Sequence, residues 1–312
     1  MVINENEYDV VVVGGSAAGL SAALILGRSR RSVLVVDAGE PRNAPAAHMQ
    51  GYLSRDGMSP AEFLAVGRRE VTAYGVELAE DEVTDAIPDG ADGFDVRLAG
   101  GRAVHARRLI VTTGLVDELP EIEGLAERWG RDVLHCPYCH GWEVRDQAFG
   151  VIASPVLGAH QALLVSQWSD DVTLFLHTVD TLSDDDRRRL AAAKVPVVSG
   201  EVAGLAVEED RLTGVRMEGG LVHPRSVVFV PPHFRPRDGL LAALGAETDD
   251  TPFGRFVRVD GTGRTTVPGV WAAGNVAGPG EQVVNAASAG HRAGATINNE
   301  LVFADLDRAA TA

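Results

Sequence analysis

Cysteine is nearly absent from this chain, since its 312 residues include two, Cys136 and Cys139. Any chemistry that cycles between thiol and disulfide must therefore use this pair. Only Pro137 and Tyr138 separate the two. This spacing can bring the sulfurs within disulfide range and can lower the pKa of one thiol from about 8.5 toward about 7 or below. The pattern predicts a reversible dithiol switch.

Features that would support other roles for the pair are also missing. A zinc site needs a second pair of ligands, which the sequence does not show. A structural disulfide is typical of secreted proteins. His140 completes the haem-attachment pattern Cys-x-x-Cys-His, which requires export. The first residues include Glu5, Glu7 and Asp9 and lack the basic region of a signal peptide. We therefore expect a redox pair in a cytoplasmic protein.

Positive charge is scarce. The formal net charge is -16 at pH 7, whereas nucleic acids and anionic membranes are bound through basic patches. We expect neither as a partner. An anionic nucleotide must then be held by local features of the chain.

Long apolar segments are absent apart from residues 10–27, which contain no charged side chain. A membrane span of about 20 residues is the alternative interpretation of this segment. Its centre is rich in glycine and serine, acidic residues precede it, and no comparable segment occurs elsewhere. These features favour a soluble nucleotide-binding fold over a membrane span.

The same segment carries a dinucleotide fingerprint. Gly14 and Gly19 bracket a tight turn, Ser16 stands at the middle glycine position, and Asp37 follows the next apolar run. In this arrangement the backbone can approach a pyrophosphate at a helix N-terminus, and an acid about 20 residues further on binds a ribose hydroxyl. The predicted order is strand 8–13, turn 14–19, helix 20–28 and strand 32–36.

A weaker repeat of this unit follows later in the chain. Residues 148–153, 157–168 and 172–177 again have the pattern of strand, helix and strand, which predicts a second, inserted dinucleotide-type fold. The chain then returns through residues 227–232. A helix is predicted over about 282–302, with residues 304–312 as a frayed tail.

The second unit has lost the features that bind a nucleotide. Ser154 and Pro155 stand in its turn without a glycine pair, and proline removes one amide donor. Residues 177–180 lack the arginines that would hold a 2′-phosphate. Arginines 187–189 follow aspartates 184–186, and we interpret them as a solvated charged face rather than a phosphate clamp.

Four features occur in the order found in low-molecular-weight thioredoxin reductases. They are the fingerprint at Gly14, the turn at 112–114, the Cys-x-x-Cys segment and residues 273–275. The chain therefore resembles that family over nearly its whole length. Residues 37–43 and the histidine after Cys-x-x-Cys further resemble a branch of dithiol oxidases, which close disulfides in natural products such as gliotoxin and holomycin.

The resemblance implies an α/β fold with two Rossmann-like dinucleotide-binding domains, the second inserted into the first. The FAD-binding domain would comprise residues 1–116 and 244–312. Residues 117–243 would form an NAD(P)H-binding-like domain with the Cys-x-x-Cys pair and a degenerate nucleotide motif. The family also implies a homodimer. His140 and Asn275 depart from the family, which ordinarily has aspartate at both positions, although asparagine can still hydrogen-bond the ribityl chain of FAD.

Site residues follow from the same resemblance. Cys139 would face the isoalloxazine ring and Cys136 would exchange with the substrate. His140, with an unperturbed pKa of about 6.5, would accept and return protons; the alternative is that it only hydrogen-bonds a loop. His48 and His291 are assigned no role, and no metal is expected. The residues expected to contact FAD are Gly14, Ser16, Ala17, Gly19, Asp37, Ala38, Arg42, Asn43, Val83, Thr113, Gly114, Gly274, Asn275, Gln282 and Val283.

Three functions remain open. In an oxidase, a small dithiol reduces the enzyme disulfide, electrons pass to FAD, and oxygen takes them as hydrogen peroxide. A reductase would run the opposite way, from NADPH or ferredoxin through FAD to a thioredoxin-like protein. A sensor would use the pair only as a switch. Because the second turn lacks glycines and arginines, we favour the oxidase and predict that NADPH reduces the flavin slowly or not at all. Tyr138 and Trp142 are candidates either for a substrate pocket or for the core.

Overall fold

The computed structural model describes residues 6–90, 93–157 and 159–311, so that Glu5 lies outside it. The strands are β1 (Glu7–Val13), β2 (Val33–Asp37), β3 (Glu77–Glu80), β4 (Val83–Pro88), β5 (Phe94–Leu98), β6 (Ala103–Val111), β7 (Leu115–Glu118), β8 (Val133–Leu134), β9 (Phe149–Ile152), β10 (Val172–Phe175), β11 (Val197–Val198), β12 (Val202–Glu208), β13 (Arg211–Met217), β14 (Val222–Pro224), β15 (Val227–Phe229), β16 (His233–Pro236), β17 (Thr248–Thr251), β18 (Gly254–Val257) and β19 (Val270–Ala272). The helices are α1 (Ala17–Arg28), α2 (Pro60–Thr72), α3 (Pro137–His140), α4 (His160–Val165), α5 (Asp184–Ala192), α6 (Gly239–Ala243) and α7 (Val283–Thr311), with 3-10 turns at Ala126–Arg128 and Gly274–Val276.

The chain forms two compact units. The first contains the residues up to Ala44, the segment Met58–Val116 and the residues from Phe234 onward. The second contains Pro45–Gly57 and Asp117–His233. The chain therefore leaves the first unit twice, once for a short loop and once for a long insertion.

Two segments lie in a different unit from the domain that we expected. Residues 234–243 were assigned to the inserted domain but belong to the first unit, because Phe234 packs with Phe256 and Leu241 joins the core of that unit. Residues 45–57 were assigned to the FAD-binding domain but belong to the second unit. There the backbone at Gly130 approaches the Pro45 side chain so closely that a Cβ atom would lie 3.2 Å from it.

The first unit is built on a seven-stranded sheet in the order β3-β2-β1-β6-β5-β4, with β19 also paired to β6. Strands β3, β2, β1, β6 and β19 are parallel, and β5 pairs antiparallel with both β4 and β6. Val10, Val11 and Val12 in β1 are fully buried, because a central parallel strand is covered on both faces. The expected α/β fold class is confirmed.

Helix α7 packs against α1 through glycine. A Cβ atom at Gly290 would lie 1.9 Å from the carbonyl oxygen of Ala18, and one at Gly294 would lie 2.9 Å from the carbonyl oxygen of Ala22. At these distances a side chain would overlap the backbone of α1. The two helices can pack this closely only because glycine occupies both positions.

The expectation of a frayed tail over residues 304–312 is wrong for the described part, because α7 continues to Thr311. Asp305 accepts hydrogen bonds from Arg31 at 2.8 Å and from Arg107 at 2.6 Å. Burial alone would raise the pKa of the Asp305 carboxyl, but these guanidinium groups hold it below its ordinary value. The helix is thus tied to the sheet near its C-terminal end, a contact that local sequence does not reveal.

The second unit contains a five-stranded parallel sheet, β11-β10-β9-β15-β8, and a three-stranded antiparallel sheet, β12-β13-β14. Neighbouring residues of the parallel strands enter different apolar clusters. Val151 and Leu174 pack with the residues of α4, whereas Ile152 and Phe175 pack with residues of the antiparallel sheet. Successive side chains of a strand point to opposite faces, so this sheet has a core on each side.

The contact between α1 and α7 gives a prediction about stability. Gly290→Ala should lower the free energy of unfolding by about 1–3 kcal/mol, because the added methyl group forces the helices apart. Gly261→Ala is the matched control, since a Cβ atom there meets nothing within 4 Å. Urea unfolding of both variants with FAD in excess checks the difference. Equal stability of the two variants would contradict the packing described here.

Candidate active site

The turn between β1 and α1 leaves no room for side chains. Gly14 has φ of +104°, and a Cβ atom there would lie 2.7 Å from the carbonyl oxygen of Thr112. A Cβ atom at Gly19 would lie 1.9 Å from the carbonyl oxygen of Gly14. The two outer glycines of the fingerprint are therefore required by the backbone itself.

The beginning of α1 is suited to an anion. Ser16 is the N-cap residue, its side chain makes no capping hydrogen bond within the described chain, and the first turn contains no acidic residue. The first amides of a helix lack partners inside the helix, and its dipole favours negative charge there. A phosphate group could therefore be bound by the amides that follow Ser16.

Asp37 braces the turn. Its Oδ1 accepts a hydrogen bond from the amide of Gly15 at 3.0 Å, and its Oδ2 accepts one from Arg68 at 2.8 Å. A Cβ atom at Gly15 would lie 2.8 Å from the Asp37 side chain. Each carboxylate oxygen has two lone pairs, so one remains on each for a ribose hydroxyl.

The turn after β6 lies against the fingerprint. The Thr112 hydroxyl donates to the carbonyl oxygen of Gly14 at 2.8 Å, and the Thr113 hydroxyl donates to that of Arg237 at 2.6 Å. Gly114 has φ of +73°, a conformation that favours glycine. Of the residues in this turn, Thr112 was not among those expected to contact FAD.

Gly274 and Asn275 also lie near the start of α1. A Cβ atom at Gly274 would lie 3.1 Å from the Cβ of Ala18. The Asn275 amide donates to the carbonyl oxygens of Gly278 and Pro279 at 3.2 Å each. Because both amide protons shape the residue's own loop, the group that Asn275 can offer to a ligand is its Oδ1 acceptor.

The expected residues after β2 lie on the surface of the first unit. Ala38 is exposed, whereas Arg42 and Asn43 are partly buried. The Arg42 guanidinium lies 5.5 Å from the centre of the Phe234 ring. Their contact with FAD stays a prediction.

The other residues expected to contact FAD lie at the beginning of helices or strands. Ala17 is the first residue of α1, Val83 the first of β4 and Val283 the first of α7, with Gln282 directly before it. Glu281 precedes these two, and burial raises the pKa of its carboxyl. The roles of these residues toward FAD also stay predictions.

In the second unit, Cys136 and Cys139 form a disulfide with 5.2 Å between their Cα atoms. Strand β8 ends at Leu134, and Cys136 is the N-cap of the single-turn helix α3. The amide of Cys139 donates to the carbonyl oxygen of Cys136 at 3.1 Å. The helical turn thus sets the two cysteines within bonding range.

His140 is the last residue of α3 and is partly buried. Burial lowers the pKa of its imidazole below the ordinary value of 6.5, and the carboxylate of Glu143 opposes this in part. The ring is therefore neutral at pH 7, which is the form that can accept a proton. This residue directly follows Cys139 in the chain.

Two aromatic side chains beside the disulfide face solvent. Tyr138 is 63% exposed and Trp142 is 65% exposed, so neither belongs to the core. The Tyr138 ring meets Trp168 edge to face at 5.7 Å, and the Arg145 guanidinium lies 4.0 Å from the centre of the Trp142 ring. The segment around the disulfide thus presents flat apolar surface.

Among the described residues, which leave out Gly158, the carboxyl end of the second sheet shows no phosphate cradle. After β9, the Ser154 hydroxyl accepts a hydrogen bond from the amide of Leu157 at 3.2 Å, and Pro155 lies between them. After β10, His177 has φ of +52° and its Nδ1 accepts a hydrogen bond from the amide of Val202 at 3.1 Å. The Ser154 hydroxyl is thus bonded within its own loop, and the His177 ring is bonded to the backbone of β12.

The three arginines of α5 are paired with aspartates one turn away. Arg188 pairs with Asp185, Arg187 lies 3.7 Å from Asp184, and Arg189 lies 3.8 Å from Asp186. All three arginines are more than half exposed. These ion pairs support our interpretation of the cluster as a solvated charged face.

The two histidines without an assigned role are both exposed. Nδ1 of His48 lies 3.0 Å from the carbonyl oxygen of Gly57, and His291 lies in α7. Among the residues that the structure describes, no three His, Cys, Asp or Glu side chains come together as metal ligands. None of the described helices is both long and apolar enough to cross a membrane.

Sequence patterns did not predict three contacts that stabilise the two sites. Arg68 pairs with Asp37, Thr112 supports the fingerprint, and Gln161 donates a hydrogen bond to the carbonyl oxygen of His135, directly before the disulfide. Each is distant in sequence from the residue that it contacts. A pattern limited to neighbouring residues carries no signal for such contacts.

Comparison with known proteins gives a consistent assignment. The model of the pyridine nucleotide-disulphide oxidoreductase family matches residues 8–290. A thioredoxin reductase, tcpT, from Claviceps purpurea is 32% identical, over 97% of this chain and 96% of its own. The thioredoxin reductase sirT from Leptosphaeria maculans is 30% identical, over 96% of each chain.

Solved structures agree with these relatives. The crystal structure of HlmI superposes with a TM-score of 0.94 at 52% identity, covering 99% of this chain and 96% of HlmI. An oxidoreductase from Agrobacterium tumefaciens superposes with a TM-score of 0.89 at 39% identity, covering 95% and 99% of the two chains.

The family implies FAD, and the first unit fits it. The glycine turn is too narrow for side chains, the start of α1 is suited to a pyrophosphate, and an acid ends β2. The chain thus belongs to the pyridine nucleotide-disulphide oxidoreductase family and is a flavin-dependent, thioredoxin reductase-like oxidoreductase.

Proposed function

We propose that this protein is an FAD-dependent dithiol oxidase, which forms a disulfide in a small-molecule dithiol and passes the electrons to oxygen. The proposed direction of electron flow rests on the residues found at the carboxyl end of the second sheet. Its turn after β9 contains Ser154 and Pro155, and the arginines of α5 are already paired with aspartates. Because the described residues of this turn form no cradle for NADPH phosphates, we infer that electrons enter from the substrate.

The chemistry on the protein is thiol–disulfide exchange. One substrate thiolate attacks the sulfur of Cys136, and the bond to Cys139 breaks, which leaves a mixed disulfide and a Cys139 thiolate. The second substrate thiolate then attacks the substrate sulfur of the mixed disulfide, and the bond to Cys136 breaks, which leaves a Cys136 thiolate. The products are the substrate disulfide and the reduced cysteine pair, so that two electrons and two protons have moved to the enzyme.

We propose that His140 is the general base that accepts the thiol proton and later returns it. A thiol must lose its proton before it attacks, since the thiolate is the nucleophile. Burial keeps the pKa of His140 below its ordinary value, so the neutral imidazole is available throughout the neutral range. It is one residue away from Cys139, the sulfur that leaves in the first step.

When bound, FAD supplies an acceptor for the electron pair of the reduced cysteines and a means of passing it to oxygen as hydrogen peroxide. Its pyrophosphate would be held by the amides after Ser16, at the turn whose backbone packing requires Gly14 and Gly19. Asp37 would bind the adenosine ribose, and Oδ1 of Asn275 would accept a hydrogen bond from the ribityl chain.

A compact apolar dithiol fits the surface around the disulfide. The exposed rings of Tyr138 and Trp142 can stack on a flat substrate ring. Arg145 lies over Trp142 and adds a positive charge to this surface. The resemblance to dithiol oxidases supports the same substrate class, and the resemblance to low-molecular-weight thioredoxin reductases supports a homodimer.

The second candidate is a disulfide reductase fed by NADPH or ferredoxin. The names of the relatives favour it, since tcpT and sirT are both thioredoxin reductases by name. In this case, electrons would run from FAD to the cysteine pair and on to a thioredoxin-like protein.

The two candidates are separated by mixing the purified yellow protein with each electron donor under anaerobic conditions. Dithiothreitol should bleach the flavin, and air should restore the colour with release of hydrogen peroxide. NADPH should bleach it slowly or not at all. The double variant Cys136→Ser, Cys139→Ser is the control for direct reduction by dithiothreitol and should stay yellow. Bleaching by micromolar NADPH within seconds, followed by reduction of a thioredoxin, would overturn the oxidase.

The roles of the two sulfurs are tested by single substitutions. Cys136→Ser should leave Cys139 as a lone thiolate beside the flavin and give a long-wavelength charge-transfer absorbance band. Cys139→Ser should not give that band, and both variants should lose turnover, because one sulfur cannot form the internal disulfide. Absorbance spectra of the two holoproteins provide the measurement, and the opposite pattern would reverse the assigned roles.

The proposed role of His140 predicts a pH dependence. His140→Gln should lower turnover about 10²- to 10⁴-fold with FAD still bound. In the wild type, activity should fall only below pH 6.5, because burial lowers the pKa of this base and it is lost on protonation. Glu143→Gln should shift this acidic limb further down, since the carboxylate raises the pKa of His140.

His160→Gln is the matched control, because His160 is exposed at the start of α4. It should leave the pH profile of kcat/KM unchanged. Near-normal activity of His140→Gln from pH 6 to 9 would assign this histidine a structural role instead.

A further inference from the structure

Gln161 is a buried amide that contacts the redox segment. It lies in α4, is 3% exposed, and its Nε2 donates a hydrogen bond to the carbonyl oxygen of His135 at 2.6 Å. His135 is the residue directly before Cys136. The amide therefore reaches the backbone at the N-terminal side of the disulfide rather than the sulfurs themselves.

The side-chain oxygen of Gln161 lacks a hydrogen bond to any described residue. This Oε1 atom is buried. Buried polar atoms without partners are unfavourable and rare. Rotating the amide would set its oxygen against the carbonyl of His135, so the observed orientation is the one that serves this carbonyl.

Both ends of this contact are rigid. Ala162 and Val165 of α4 lie in the same apolar cluster as Leu134, which ends β8. The carbonyl oxygen of Leu134 accepts a hydrogen bond from the amide of Val230 at 2.9 Å. The hydrogen bond from Gln161 therefore fixes the backbone one residue beyond Leu134, at the peptide that joins His135 to Cys136.

We propose that Gln161 is a positioning residue, which fixes the peptide before Cys136 and keeps the Cys136 sulfur within bonding range of Cys139 when the pair is reduced. The carbonyl of His135 and the amide of Cys136 belong to one planar peptide unit. A hydrogen bond to the carbonyl thus fixes the direction in which the chain enters Cys136. This inference rests on the proposed redox cycling of the pair.

The restraint acts mainly on the reduced state. In the disulfide, the bond between the sulfurs already holds the segment together. In the dithiol, the hydrogen bond from Gln161 acts together with the α3 turn to limit its freedom, and the entropy lost on closing the disulfide is smaller when that freedom is limited. Loss of the contact should therefore favour the dithiol.

The test is the equilibrium between disulfide and dithiol in glutathione buffers, measured by alkylation of the two cysteines in the anaerobic holoprotein. Because the chain has no other cysteine, the readout is specific for this pair. Gln161→Leu should lower the equilibrium constant for the disulfide about tenfold, which makes the reduction potential about 30 mV less negative. It should also lower kcat while leaving KM for the dithiol unchanged, because Gln161 is buried.

A second variant separates positioning from simple packing. In Gln161→Glu a charged carboxylate cannot donate to the carbonyl of His135, whereas the protonated acid can. Burial raises the pKa of a carboxyl group, so the carboxyl introduced by Gln161→Glu should become protonated as the pH falls from about 8 to about 5. Compared with the wild type at each pH, this variant should match Gln161→Leu at the basic end and approach the wild type at the acidic end.

Gln167→Leu and Gln167→Glu are matched controls, since Gln167 is exposed just after α4. Circular dichroism and FAD content check that every variant is folded. If Gln161→Leu does not fold, the pH dependence of Gln161→Glu decides alone. An equilibrium constant within threefold of the wild type at every pH would overturn the proposal.

This experiment needs neither oxygen nor NADPH. A protein that proves to be a reductase would still show the effect of Gln161, so that failure of the proposed direction and failure of this inference are distinguishable. A wild-type disulfide that resists reduction altogether would contradict both.

Discussion

The first unit depends on the close approach of backbones around the start of α1. The carbonyl oxygen of Gly14 lies where a side chain of Gly19 would be, and the carbonyl oxygen of Ala18 lies where a side chain of Gly290 would be. Gly274 lies against Ala18 from a third segment. Three distant parts of the chain thus meet at one helix end without side chains between them. We propose that the first amides of this helix bind the pyrophosphate of FAD.

The second unit uses a similar sheet for a different purpose. Its strands are parallel and buried, as in a nucleotide-binding fold, yet the turn after β9 is held by Ser154 and contains Pro155. The chemistry lies instead at the end of β8, where a single helical turn joins Cys136 to Cys139. Exposed aromatic rings beside the disulfide suit a small substrate. We propose that this unit serves thiol exchange rather than binding of NADPH, on the same kind of parallel sheet.

Sequence patterns predicted what depends on neighbouring residues. The order of β1, α1 and β2 follows from apolar runs and from glycines, and Cys136 and Cys139 are recognisable by their spacing alone. Contacts between distant segments could not be predicted in this way. Residues 304–311, expected to be a frayed tail, are helical, and Asp305 pairs there with Arg31 and Arg107. The hydrogen bond from Gln161 to His135 likewise joins two segments that are 26 residues apart. Residues 45–57 and 234–243 also lie in the other unit than expected, because they pack against residues that are distant in sequence.

The central claim is that the cysteine pair and the flavin exchange electrons supplied by a dithiol. Anaerobic titration of the holoprotein with dithiothreitol tests it most directly, with flavin absorbance followed after each addition. If the disulfide and the flavin each take one electron pair, full bleaching requires about two molar equivalents of dithiol per bound FAD. Full bleaching by one equivalent, or a flavin that stays oxidised while the disulfide is reduced, would contradict the account.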